Sequence, residues 1–468
     1  MRNNLKNKEG NMDQKYVEST LELIDFINDS PSCYHVVSNV AAILENAGCL
    51  KLEEDKRFTL QPGCCYYVTR NSSAIIAFRI PASEPEQATS KQTTSKQVAS
   101  ESADSSKSAQ LQPAGFSIVA AHTDSPSFKV KANPELPLGE AYTTINVEGY
   151  GGMLMAPWFD RPLSLAGRAF IKTDDGLIEQ RLVDFDKDLC QIVNLCIHQN
   201  REANKGYEYK IQKDMLPLLA CGSKKGAIKS LVAELLEVEE ESIIDTELFL
   251  YNRMRGTIWG LEDEFFSSPK IDDLQCAYTA VKAFVNAKDS KSSKLQMVAL
   301  FDNEEVGSGT KQGADSDFLS QTVKRIGLAL GWDYEDRCIA KAKSFMVSAD
   351  NGHSIHPNYP EKCDPSNKPV MNKGLMIKYA GNQKYTSDAF SGAYFKEILD
   401  KANLPYQLFF NNSNVPGGGT LGNISGSQFS IPSVDVGAAQ LAMHSPYETG
   451  GTQDTYNLTE SFKAFFEN

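Results

Sequence analysis

Six histidines serve 468 residues, and several of them stand in acidic or glycine-rich runs whose composition suits metal binding. In Ala121-His122-Thr123-Asp124-Ser125-Pro126, His122 can ligate a metal while Asp124 accepts the hydrogen bond of the other ring nitrogen and raises the ligand's basicity. A surface or capping His–Asp pair is the bland alternative, but the segment follows the buried-looking run Phe116-Ser117-Ile118-Val119-Ala120. Ile271-Asp272-Asp273-Leu274 opens a helix, where one aspartate can cap the N-terminus and Asp272 can bridge two metal ions. Glu304-Glu305 follows Leu300-Phe301 and precedes Val306-Gly307-Ser308-Gly309. Hydrolysis at a metal centre needs one carboxylate as ligand and a second, unligated one as proton acceptor, and two adjacent residues at a strand end can divide those roles. Asp350, after Phe345-Met346-Val347-Ser348, is a further candidate ligand, and His444 supplies a late one. His356, in His353-Ser354-Ile355-His356-Pro357, can polarise a carbonyl or steady a tetrahedral intermediate. Two histidines and three carboxylates suit zinc, cobalt or manganese better than magnesium alone, and two ions are the natural occupancy if Asp272 bridges.

Other polar runs carry less. Pro416-Gly417-Gly418-Gly419-Thr420-Leu421-Gly422 lacks the lysine and spacing of a phosphate-binding loop and reads as a backbone wall beside a bound substrate. No serine elbow has its triad context.

The elements that must position these residues follow from periodicity. Apolar spacing predicts helices over 17–48 with a break at Pro31, and strands over 64–80. Residues 83–112 are rich in Ser, Thr, Gln and Lys and lack any hydrophobic period, which predicts a disordered insertion. From 271 onward, helices around 274–286, 316–329 and 387–401 alternate with strands near 295–301, 344–348, 405–410 and 432–436. That rhythm predicts an α/β domain built on a mostly parallel sheet. Between the two halves lie short β-like runs and turn glycines. The expected organisation is therefore a catalytic α/β domain from residues 1–126 and 266–468, interrupted by a β-rich domain at 127–265.

The formal charge of −13 disfavours nucleic acid and anionic membranes as partners. No apolar run approaches the length of a bilayer span and the start leads into no signal-peptide core, so the expected location is the cytoplasm. The ten cysteines are scattered without a CxxC pair and read as reduced core residues.

Taken in order, the segments resemble the aspartyl aminopeptidase family of cocatalytic zinc exopeptidases. The similarity runs from Ser30-Pro31-Ser32-Cys33-Tyr34-His35 through the His122, Asp160-Arg161-Pro162-Leu163, Ile197-His198, Asp272, Glu304-Glu305, His353–Tyr359 and Asn382-Gln383-Lys384-Tyr385 segments to Met443-His444-Ser445. The resemblance implies two zinc ions held by His122, Asp272, Glu305, Asp350 and His444, with Asp272 bridging. It implies Glu304 as general base, Asp124 as support for His122, and His356 as stabiliser of the intermediate. The implied fold is a zinc-exopeptidase-like α/β domain, its mostly parallel mixed sheet flanked by helices, plus an inserted β-rich dimerisation domain. That inserted domain carries His198 to substrate in a neighbouring subunit, and the dimers assemble into a tetrahedral dodecamer.

The implied reaction is removal of one N-terminal residue from short peptides. Lys378 falls where acid-preferring members place a cation, so Asp or Glu is the expected residue, with neutral-residue aminopeptidase activity as the alternative. A carboxypeptidase or deacylase, and a non-enzymatic metal-stabilised scaffold, are the more distant alternatives. Asp273 stands where some relatives have asparagine, and Asn351-Gly352 where bulkier residues are common.

Overall fold

The central layer of the molecule is built from near-continuous apolar runs, as expected of strands covered on both faces. Phe116–His122, Leu295–Phe301, Phe345–Ala349 and Ser433–Gly437 are buried along their whole lengths. The structure, a computed structural model, describes residues 13–82, 112–415 and 417–468. The insertion expected over 83–112 lies, but for residue 112, outside the described residues.

These strands form the middle of a nine-stranded sheet in the order Leu50–Leu52, Cys65–Arg70, Ala74–Arg79, Leu295–Phe301, Phe116–His122, Phe345–Ala349, Ser433–Gly437, Leu375–Tyr379, Tyr406–Phe410. Five of its eight neighbouring pairs are parallel, three at the centre and one at each edge, so the sheet is mixed. One face is covered by Gln14–Asn28, Cys33–Asn46, Ile271–Asn286, Ala389–Lys401 and Asp454–Glu467, which share a core containing Leu23, Val40, Phe284, Phe395 and Phe462. The other face packs Phe318–Ala329, Tyr334–Ala342 and Leu421–Gln428 around Phe318, Ile326, Ala340 and Leu421. Ile271–Asn286 is buried nearly all round, because Asp454–Glu467 and Gln14–Asn28 pack on the side that the sheet leaves free.

A second sheet is wholly antiparallel: Ile178–Asp184, Leu163–Lys172, Ile243–Asn252, Ser127–Leu138, Tyr142–Tyr150, Leu218–Cys221. It has its own core of Phe128, Trp158, Leu163, Leu250 and Val232, the last from helix Ala227–Leu236. A third, five-stranded sheet joins Thr257–Trp259, Phe265–Ser268, Glu448–Gly451, Ala439–Leu441 and Gly352–His353. Its strands are two to four residues long and come from three distant parts of the chain, so no alternating pattern announces them.

The helix expected over 17–48 with a break at Pro31 is the pair Gln14–Asn28 and Cys33–Asn46. The cysteines depart from expectation. Leu50–Leu52 pairs in parallel with Cys65–Arg70, Leu50 opposite Tyr66, which brings the preceding Cys49 beside Cys65, and the two form a disulfide. Register created this proximity; nothing in the spacing of the cysteines signals it.

Candidate metal centre

Strand ends deliver the site. His122 is the last residue of Phe116–His122, the neighbouring strand ends at Phe301 just before Glu304 and Glu305, and Asp350 follows Phe345–Ala349 on the other side. The third sheet brings the remaining parts: Phe265–Ser268 leads into Asp272, and His444 sits in the turn between Ala439–Leu441 and Glu448–Gly451. Backbone must pass closely here. A Cβ on Gly437 would collide with the carbonyl of Asp350. Gly151, at φ +77°, lies where a Cβ would come within 3.0 Å of the Glu305 Cβ.

The side chains converge. The two carboxylate oxygens of Asp272 face two imidazoles, Oδ1 at 3.4 Å from His122 Nε2 and Oδ2 at 3.5 Å from His444 Nε2. Glu305 Oε2 lies 3.4 Å from the same His444 nitrogen. Three overlapping groups, His122–Asp272–Asp273–Asp350, His122–Glu304–Glu305 and Asp272–Glu305–His444, each place one donor atom per residue within 4.8 Å of the others. Asp272 and Asp273 lie outside helical dihedrals at the mouth of Ile271–Asn286 and are joined by a cis peptide bond.

A second layer fixes these groups. Asp124 accepts from the amides of Glu304 at 3.1 Å and Glu305 at 3.2 Å, and from the Tyr150 hydroxyl at 2.7 Å. Its Oδ1 is 3.3 Å from His122 Nδ1, which also lies 3.1 Å from the Asp124 carbonyl. The carbonyl of Gly152 accepts from His444 Nδ1, and the amide of Leu154 donates to the His444 carbonyl at 3.0 Å. Both imidazoles therefore have their Nδ1 occupied and their Nε2 turned to the carboxylates, the arrangement of a ligating histidine.

Electrostatics shows what the cluster needs. Burial pushes Asp350 up to about 7, and burial with the charge of Asp272 raises Glu305. Burial likewise raises Glu304 and Asp273. Burial would raise Asp272 too, but the His122 and His444 imidazoles outweigh it and hold that carboxyl below its usual range. One oxygen each of Asp272, Asp273 and Glu305 is buried without a hydrogen-bond partner among the described residues. So many carboxylates, crowded and partly orphaned, fit divalent cations, which cancel their repulsion and take up the free lone pairs. The overlapping donor groups make this a dinuclear metal site.

The remaining candidates sit differently. Lys378 is 2% exposed, donates to the Asn351 carbonyl at 2.8 Å, and is kept protonated because Asp350 and other neighbouring groups outweigh its burial. His353 stands at the rim, where desolvation and then Lys378 lower its pKa and the charges of Asp272 and His444 reach it. His356 instead accepts from the Asn358 amide at 3.2 Å and packs on Tyr359. His198 lies on an exposed turn, not on a strand, and outside the metal cluster of its own chain. Sequence reasoning passed over Tyr150, Gly152 and Glu448, and marked Asn351 only as a departure from relatives. Each acts through a hydrogen bond to a distant segment, and no local motif marks it.

Comparison with known proteins agrees with this geometry. The family model for the aminopeptidase I zinc metalloproteases (M18) matches residues 26–95 and 93–466. A probable M18 family aminopeptidase 2 of Clostridium novyi is 40% identical over 450 residues, covering 95% of this chain and 98% of the relative. The cryo-EM structure of the Ape4 and Nbr1 complex superposes with a TM-score of 0.88 at 32% identity, over 98% of this chain and 87% of that one. The mApe1 dodecamer of S. cerevisiae gives 0.80 at 26% identity, over 97% of this chain and 98% of that one. Among the described residues no helix is long and apolar enough to cross a membrane. A metal cluster at the strand ends and a family match along almost the whole chain lead to one conclusion: this chain belongs to the M18 family and is a metal-dependent aminopeptidase acting on peptide N-termini.

Proposed function

We propose that the chain releases N-terminal Asp or Glu from short peptides using two zinc ions held by His122, Asp272, Glu305, Asp350 and His444, with Asp272 between them. The observation that carries this reading is the Asp272 carboxylate, which turns one oxygen to each imidazole at 3.4 and 3.5 Å. The same donors would accept cobalt or manganese. When bound, such a pair of ions acidifies water and polarises a carbonyl.

The chain's own residues do the rest. Glu304, its carboxyl raised by burial, would take a proton from the attacking water and return it to the leaving amine. Asp124 orients His122 and, through the amides of Glu304 and Glu305, sets the base and the ligand in one frame. His356 is assigned to the developing oxyanion.

Lys378, a buried ammonium beside Asp350, would receive the acidic side chain of the substrate. The alternative, a preference for neutral residues, is favoured by the Asn351 carbonyl and Asp350, which already occupy that ammonium. His198 would act in a neighbouring subunit. Its neighbours Val193, Leu195 and Ile197 are 47%, 57% and 50% exposed, an apolar surface suited to burial against a second copy. Residues 127–265 would form the dimerisation domain, and 1–126 with 266–468 the catalytic one. A tetrahedral dodecamer of dimers is the assembly we propose, and the dodecameric relative supports it.

The test is release of N-terminal Asp, Glu, Leu and Ala from short peptides by chelated protein, with zinc, cobalt and manganese restored separately. Metal-restored release of Asp or Glu is expected, lost selectively in Lys378→Met. Release of neutral residues alone would discard the acidic pocket. Cleavage of N-acetylated peptides in place of free ones would replace the aminopeptidase reading with a deacylase or carboxypeptidase one.

A further inference from the structure

Two of the proposed ligands come from segments far apart in sequence, and one buried carboxylate holds both. Glu448, 2% exposed, opens the strand Glu448–Gly451 and pairs with Ser268, the residue that ends Phe265–Ser268. Its Oε2 accepts from the backbone amide of Asp272 at 3.0 Å, and its Oε1 accepts from the backbone amide of His444 at 2.7 Å. No other side chain among the described residues bonds the amides of both. Oε1 also accepts from Gln440 Nε2 at 3.3 Å. Gln440 Oε1 accepts in turn from Asn351 Nδ2 at 2.8 Å, and the Asn351 carbonyl accepts from Lys378 Nζ at 2.8 Å. Asn351 is itself fixed by the Ala438 amide, at 2.9 Å, and by Gln275, at 3.1 Å. The departure Asn351-Gly352 is thus a junction: a Cβ on Gly352 would meet Met376 Cε at 2.7 Å and Lys378 Cε at 3.3 Å.

We propose that Glu448 is a positioning residue of the metal centre. It clamps the backbones of Asp272 and His444 to one carboxylate, and Gln440 and Asn351 tie that clamp to Lys378. The inference rests on the proposed ligand set. Glutamine at 448 would turn an amide N–H2 toward one of the two backbone N–H groups, setting donor against donor with no change in size.

The experiment uses the full chain in its assembled form. Zinc affinity is measured by chelator competition for wild type, Glu448→Gln, Asp272→Asn and His444→Ala, together with melting of each metal-free protein and kcat and KM at saturating zinc. We expect Glu448→Gln to bind zinc about 10–100-fold more weakly, with kcat largely recovered at saturating zinc and KM unchanged. Wild-type zinc affinity in Glu448→Gln, alongside loss of zinc in Asp272→Asn and His444→Ala, overturns the clamp and leaves the ligand set intact. Full zinc retention by Asp272→Asn and His444→Ala overturns the ligand set itself. Reduced metal-free melting with unchanged zinc affinity marks a purely structural residue and also overturns the proposal. If Glu448→Gln does not fold, Gln440→Leu keeps the carboxylate and removes one of its donors. A several-fold loss of zinc affinity there supports the clamp, and wild-type affinity overturns it.

Discussion

Tyr150 and Asp124 meet across the seam between the six-stranded and nine-stranded sheets, the phenolic hydroxyl 2.7 Å from Oδ2. Asp124 carries the amides of Glu304 and Glu305 and orients His122, so one hydroxyl from the antiparallel sheet supports three residues of the metal centre. Tyr150→Phe keeps the ring against Phe249, 5.4 Å away, and removes that donor together with the oxygen that accepts from Asn303 Nδ2 at 2.8 Å. A hydrogen bond to a charged group contributes about 1.5–3 kcal/mol. The expected result is zinc affinity lowered about tenfold or more, read by chelator competition. Unchanged affinity would show that the seam does not support the site.

Glu304→Gln separates base from ligand. Metal content should stay at the wild-type level while turnover falls by about 10²–10⁴-fold. Elemental analysis beside single-turnover peptide cleavage measures both, and loss of metal together with activity would make Glu304 a ligand.

Removal of the metals exposes the carboxylate repulsion as a pH dependence. Burial lifts Asp350 to about 7, above the unfolded value near 4. A carboxyl raised on folding favours the fold in its protonated form, so its contribution is full below about pH 4 and declines as pH rises through about 7. Metal-free protein should therefore melt at lower temperature at pH 8.5 than at pH 6. Restored zinc should reverse this order, because ligands bind metal in their ionised form. Calorimetry at both pH values decides; metal-free melting that climbs over this window would contradict the assignment.

The Cys49–Cys65 bond closes a 16-residue separation. A loop of that size contributes about 3 kcal/mol by chain-entropy arguments. Reductant, or Cys49→Ser, should lower the unfolding midpoint in denaturant accordingly, with zinc affinity unaffected. An identical midpoint with and without reductant would show that the pair stays reduced in solution.

What could be read from the sequence follows from where each signal is stored. His122, Glu304, Glu305 and Asp350 were legible because each polar group follows an apolar run, and such runs are the buried strands of a covered sheet. Helices with one apolar stripe, such as Gln14–Asn28, were legible too. Tyr334–Ala342 was not, because it buries only Ala340 completely and reads as a charged surface. Glu448, Gln440 and Asn351 were hidden for another reason. Their roles exist only where strands from three regions meet, and strands of two to four residues have no period to detect. Cys49 and Cys65 fall in the same class, since their meeting depends on register.

The location of His444 and Glu448 at the far end of the third sheet has a consequence during synthesis. A nascent chain that has reached residue 438 already contains His122, Asp272, Glu305 and Asp350, with every strand of the central sheet. It lacks the hairpin Ala439–Leu441 and Glu448–Gly451, and with it both the final imidazole and the carboxylate that fastens the Asp272 amide. On the proposed ligand set, a chain released before that hairpin would lack one metal ligand and the carboxylate that fastens the Asp272 amide.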